Sequence, residues 1–190
     1  MADSVPFASR EYFIFLALLT FSRGMDFLST WVATPQLVLE GNPLAKWLGW
    51  KWGAVVNVLL ITTLSVWPLS AIVVSTASVL VAARNFQSAW LMRSMGEFEY
   101  RAWYRQRFAE SSLSLYLLCF AGNTGLTLAV GVATVGFSQS DGYVMLVPFG
   151  IGMGIIAYAM AIILFTLLAL WRGRRRQPMA LPNPVDSDHP

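Results

Sequence analysis

Arg23, Asp26 and Thr30 recur at three- and four-residue spacing inside the apolar stretch from Tyr12 to Thr34. On a helix they fall within about a 60° arc of one face, which Thr20 and Thr34 extend. Such a stripe can bind a cation or proton, grip a polar head group, or neutralise itself as an i, i+3 pair. Arg23 lies roughly 11 residues, or about 16 Å, from each end of the stretch, too deep to snorkel easily. A charge at that depth costs about 2.5–3.5 kcal/mol on insertion scales. The stripe must therefore face protein, water or a ligand. Two explanations compete: Arg23 and Asp26 pair with each other, or Asp26 faces a hydrated cavity as a binding group with Arg23 as counter-charge. Asn57, Arg84 and Asn85 are further candidate partners on neighbouring spans, although Arg84 is close enough to its span's end to snorkel.

A second polar cluster follows at E-G-N-P, Glu40 to Pro43. Asn-Pro is a common turn signal, and it recurs at Asn183–Pro184 in the tail. Acid–base work by Asp26 and Glu40 on a lipid head group is conceivable, but no nucleophile or metal cluster accompanies them. Cys119 and His189 are the only residues of their types. That removes an internal disulfide, Ser/His/Asp and Cys/His catalysis, and histidine-based metal or haem sites. There is no Gly-rich phosphate loop or dinucleotide fingerprint. Neither a cofactor nor a metal is expected.

The elements that must carry these residues are membrane spans. Of 190 residues 56% are hydrophobic and only 12% charged, against about a quarter charged in soluble domains. A span needs about 20 residues. The expected class is all-α, a polytopic helix bundle in one domain over residues 1–176. Its five spans are placed near 12–34, 52–66, 71–92, 112–137 and 143–171. The first stops at Pro35, and W-P-L-S at Trp67–Ser70 separates the second from the third. The alternative there is one kinked helix or a re-entrant pair. R-G-M-D after the first run does not suit a signal-peptide cleavage site, so that run is kept as a mature span.

Charge placement orients the chain. With five spans, Lys46 and Lys51, the group Arg93, Arg101, Arg105 and Arg107, and the group Arg172, Arg174, Arg175 and Arg176 share one side, against Arg10 opposite. Short basic loops stay in the cytoplasm, which predicts the N-terminus outside and the C-terminus inside. The same clustering beside apolar runs argues against a nucleic-acid partner. Most tryptophans fall at span ends, where their rings favour the head-group level. Residues 97–108 mix aromatics with arginines and read either as an interfacial helix or as a solvated extension of span three. The tail 177–190 carries four prolines and should be disordered in the cytoplasm.

Small residues repeat along the last two spans: Ala121, Gly125, Ala129 and Ala133, then Gly150, Gly154, Ala157 and Ala161. Such stripes let backbones approach closely in lipid. They imply packing of spans four and five on each other, or a docking face for a second copy or another subunit.

D-F-L-S-T at Asp26–Thr30 with E-G-N-P at Glu40–Pro43 resembles a family of small prokaryotic multi-pass membrane proteins of unknown function. D-x-x-x-T in the first span and E-x-N-P just after it mark that family. The resemblance covers roughly residues 12–95. It implies a prokaryotic plasma or inner membrane location, and that Asp26, Thr30, Glu40, Asn42 and Pro43 are the shared feature. It brings no activity with it. Spans four and five depart from the shorter family pattern as an added module. The leading functional expectation is a ligand- or ion-binding or conducting protein centred on the stripe around Asp26. The alternative is a structural or assembly subunit of a larger membrane complex, with a homo-oligomer or complex partner beside the lipid bilayer.

Overall fold

The computed structural model describes residues 4–139 and 145–175, and every regular element among them is helical. Helix α1 spans Arg10–Ala33 and starts at Ser9, whose hydroxyl accepts from the Tyr12 N–H at 3.1 Å. It stops at Thr34, before Pro35, as proline sterics require. Helix α2, Pro43–Leu64, opens with Pro43 in the first turn and Asn42 as N-cap. Both choices suit a helix start, because the proline lacks an N–H that would go unpaired there. The helix breaks at Gly49, where φ is 64°, a conformation glycine adopts without steric cost. Helix α3, Pro68–Met95, begins after a short turn at Ser65–Trp67. Spans two and three are thus separate helices, and span two starts earlier than Trp52.

Gly96, with φ 82° and ψ 151°, ends α3 and starts α4, Glu97–Glu110. That backbone break makes residues 97–110 a distinct helix and corrects the reading of an extension of span three. Helices α5, Leu113–Phe137, and α6, Leu146–Arg175, complete the chain. The expected start of span five at Tyr143 and the tail 177–190 lie outside the described residues. Five helices, all but α4, are long and apolar enough to cross a membrane.

The polarity of the fold is turned inside out. Ser22, Ser29, Ser65, Ser75 and Ser78 are buried, whereas Phe13, Ile14, Phe21, Leu28 and a series of α5 leucines are exposed. This pattern suits a lipid surround, which would solvate apolar side chains and leave small and polar residues to make the helix contacts. The helices join in an open order: α1 packs on α3, α3 on α6, and α6 on α5. Helix α2 lies beside α1 and α3 without a single buried residue.

Glycines set the closest approaches. A Cβ at Gly154 would lie 2.6 Å from the Thr76 Cβ and 2.7 Å from the Val73 carbonyl oxygen. One at Gly150 would lie 2.7 Å from Ile72. These two positions therefore seat α6 on α3, which corrects the expectation that they meet span four. Span four meets span five through Gly131 and Gly152 instead, each of which would place a Cβ about 3 Å from the other's carbonyl oxygen. Ala121, Gly125, Ala129 and Ala133 are all exposed, away from α6.

Gly154→Ala should lower the thermal stability of the detergent-solubilised protein by the equivalent of about 1–3 kcal/mol, as overpacking does. Gly125→Ala, where a Cβ meets nothing within 4 Å, should be neutral or stabilising by up to about 1 kcal/mol. Equal effects at the two sites would contradict the α3–α6 contact.

Candidate functional site

The polar stripe of α1 faces α2 and α3. The Arg23 guanidinium donates through Nη1 to Asp26 Oδ2 at 2.8 Å and to Ser78 Oγ on α3 at 3.2 Å. Through Nε it donates to Asn57 Oδ1 on α2 at 2.7 Å. The Arg23–Asp26 contact is an ion pair whose side chains keep 24% and 18% exposure. The two charges thus pair with each other, and Arg23 also reaches two other helices. Asn57 is committed at both ends of its amide, since Nδ2 donates to the Gly53 carbonyl at 2.8 Å.

One turn further along, Asn85 of α3 donates to the hydroxyls of Ser29 and Thr30 at 3.3 and 3.2 Å. Ser29 in turn donates to the Asp26 carbonyl at 2.8 Å. Thr30 and Asn85 are therefore joined, as two of the candidate residues. Arg84 is exposed on α3 and takes no part in these bonds.

Glu40, Asn42 and Pro43 form a local device. The Glu40 carboxylate accepts from the Asn42 N–H at 2.7 Å, and the Asn42 side chain accepts from the Leu44 N–H at 3.0 Å. These bonds turn the chain and cap α2, satisfying a donor that a helix start leaves open.

The acid that sequence reasoning missed is Glu97. It is 8% exposed, and its carboxylate accepts from the Thr34 hydroxyl at 2.5 Å, the Gln36 N–H at 2.7 Å and the Val38 N–H at 2.9 Å. Thr34 also accepts from the Leu39 N–H at 3.1 Å. The connection between α1 and α2 is thereby wrapped around a carboxylate from the start of α4. Trp50 adds a bond to the Pro35 carbonyl at 2.8 Å, and Lys46 one to the Val38 carbonyl at 3.1 Å. A cavity of about 390 Å³ borders this knot, lined by Pro35, Gln36, Met92, Arg93, Glu97 and Glu99 among others. The only sequence signal was an acid directly after Gly96. Further along α4, partial burial and the neighbouring Tyr104 raise the Tyr100 phenol above its usual value.

A second hollow runs between α1 and α2. It is an open, largely apolar groove of about 340 Å³, lined by Thr20, Arg23, Gly24, Phe27, Leu28, Trp31, Ala54, Asn57 and Ile61. Arg23 lines it and Asp26 does not, so of the two charged residues it is Arg23 that borders the groove. Phe27, one of these residues, makes an edge-to-face contact with Trp50 at 4.9 Å. No cluster of three or more metal-binding side chains occurs among the described residues. No family model, curated protein or solved structure matches the chain.

In a double-mutant cycle on thermal stability, Arg23→Met and Asp26→Leu should each destabilise, with the combined variant partly rescued. The coupling should fall at about 0.5–3 kcal/mol, and rescue should be incomplete because Arg23 also serves Asn57 and Ser78. Simple additivity would show that the ion pair does not act as a unit. Glu97→Ala strands two backbone N–H groups and the Thr34 hydroxyl, and should cost on the order of 3 kcal/mol. It should also expose the 34–39 connection to limited proteolysis; an unchanged digestion pattern would contradict the wrapped arrangement.

Proposed function

We propose that this chain is an integral membrane protein that binds a small lipophilic ligand in the groove between α1 and α2, with Arg23 as its polar contact. One observation carries the reading: Arg23, whose guanidinium is held by acceptors from three helices, lines a largely apolar groove. Charges within spans are costly and are retained where they serve packing or function. The Asp26 pairing answers the packing need, and the groove gives the same residue an accessible face. Binding is favoured over conduction because the helices follow an open order, with no pathway enclosed by the described residues. Orientation follows the basic residues: Lys46 and Lys51 near the start of α2, Arg93 near the end of α3 and Arg101, Arg105 and Arg107 on α4, whose placement supports a cytoplasmic C-terminus in the cell membrane.

Filling the groove tests this directly. Nothing lies within 4 Å of a Cβ at Gly24, so Gly24→Leu should occupy the space without disturbing the Arg23 bonds. Delipidated wild-type protein should gain thermal stability when a total lipid extract of the expression host is returned. Ligand at a hundred times its Kd would add about 2.7 kcal/mol. Gly24→Leu should lose most of that gain. An equal gain in both proteins, or none in either, would overturn the reading.

A second reading, an assembly subunit of a larger complex, is favoured by one observation. The ladder Ala121, Gly125, Ala129 and Ala133 faces away from α6, the helix that α5 packs along. Mass measurement after gentle detergent extraction discriminates: an assembly that Gly125→Leu breaks supports this reading, and a monomer in both proteins removes it.

A further inference from the structure

We propose that the groove beside Arg23 takes the head ring of an isoprenoid quinone, a proposal that rests on the groove reading above. The donor count comes first. A guanidinium has five N–H donors, and three are engaged, through Nε to Asn57 and through Nη1 to Asp26 and Ser78. Both donors of Nη2 are without a hydrogen bond among the described residues. The group that fits them is an acceptor.

Charge then decides what kind of acceptor. Arg23 is already neutralised by Asp26 at 2.8 Å. An anionic head would have to compete with that carboxylate, and a cation would meet the guanidinium. A neutral carbonyl does neither, and it gains a charge-assisted hydrogen bond.

Depth narrows the class further. Arg23 lies about 20 Å from the first residue of α1 and about 15 Å from the last, at the helical rise. Phospholipid head groups sit at the edges of a hydrocarbon core about 30 Å thick, out of reach of this point. A quinone ring is uncharged, carries carbonyl acceptors and can lie at that depth. The groove also has the shape for a tail: from Thr20 to Trp31 it follows α1 for roughly 16 Å. Phe27 and Trp31 are among the lining residues, and aromatic side chains favour offset or edge contacts with a planar ring.

The test uses the purified full-length chain and three defined probes: decylubiquinone, oleate and 1-decanol. Melting temperature is followed as each is titrated into wild type, Gly24→Leu and Ala54→Leu. The last two fill the groove from opposite helices and leave the Arg23 bonds intact. Decylubiquinone should raise the wild-type melting temperature saturably, with at least a tenfold weaker midpoint in both filled variants. Oleate and decanol should give no variant-sensitive shift. Equal shifts from decylubiquinone and decanol would overturn the proposal, because the ring would then contribute nothing. A variant-sensitive shift with oleate and none with the quinone would overturn the quinone assignment and leave groove binding standing. So would a shift with host lipid extract alone. No variant-sensitive shift with any probe or with the extract would overturn both.

Discussion

The fold depends on one guanidinium. In a low-dielectric setting an unpaired Arg23 would be costly, and the sequence meets that cost with acceptors from three helices. Asp26 lies one turn away on the same helix, Asn57 comes from α2, and Ser78 comes from α3. This requirement fixes α2, which buries no residue of its own. Its position is set by Asn57 near the middle, by the Trp50–Pro35 bond at one end and by the Tyr12–Thr62 bond at the other. Helix α2 is therefore held by directional bonds more than by packing. A groove survives beside it for the same reason.

The Glu97 knot is a second tie of the same kind at the ends of the helices. Arg23 meets Ser78, and Thr30 meets Asn85, at the same sequence offset of 55. The two helices thus run parallel in fixed register, and Glu97 secures the chain where α1 ends. A carboxylate surrounded by N–H and O–H donors is well solvated by the protein itself. Mid-helix and end-of-helix ties together give the α1–α3 pair one arrangement. Alternatives with slipped register would part Arg23 from Ser78 and Thr30 from Asn85, and would draw Glu97 away from its donors.

What was legible in the sequence was local. Hydropathy, Pro35 and the break at Trp67–Ser70 each act within a few residues of themselves, so the five long helices and the end of the first could be read, whereas the start of α2 at Pro43 lies well before the expected Trp52. The Arg23–Asp26 pair was legible as one of two alternatives because both residues share one helical face. Glu97 was not, since its partners are backbone N–H groups some sixty positions earlier, which carry no side-chain signature. The small-residue stripes showed that close contacts exist but not with which helix. Gly150 and Gly154 meet α3, which a pattern of glycines cannot specify. The true α5–α6 contact at Gly131 and Gly152 depends on shape at atomic scale.

Helix α5 has a consequence for biosynthesis. Synthesis proceeds from the N-terminus at about 5–20 residues per second, so the chain through α4 can settle before α5 is complete. Helix α5 packs along α6, and among the described residues its contact with an earlier helix is at its first turns, where Tyr116 meets Phe108 of α4 at 4.9 Å. In a bilayer it would be held to the earlier chain only at that end until α6 has been made. At that pace the 38 positions between Phe137 and Arg175 take about 2–8 seconds. During that interval α5 is a single apolar helix with both small-residue faces open to whatever lies beside it in the membrane.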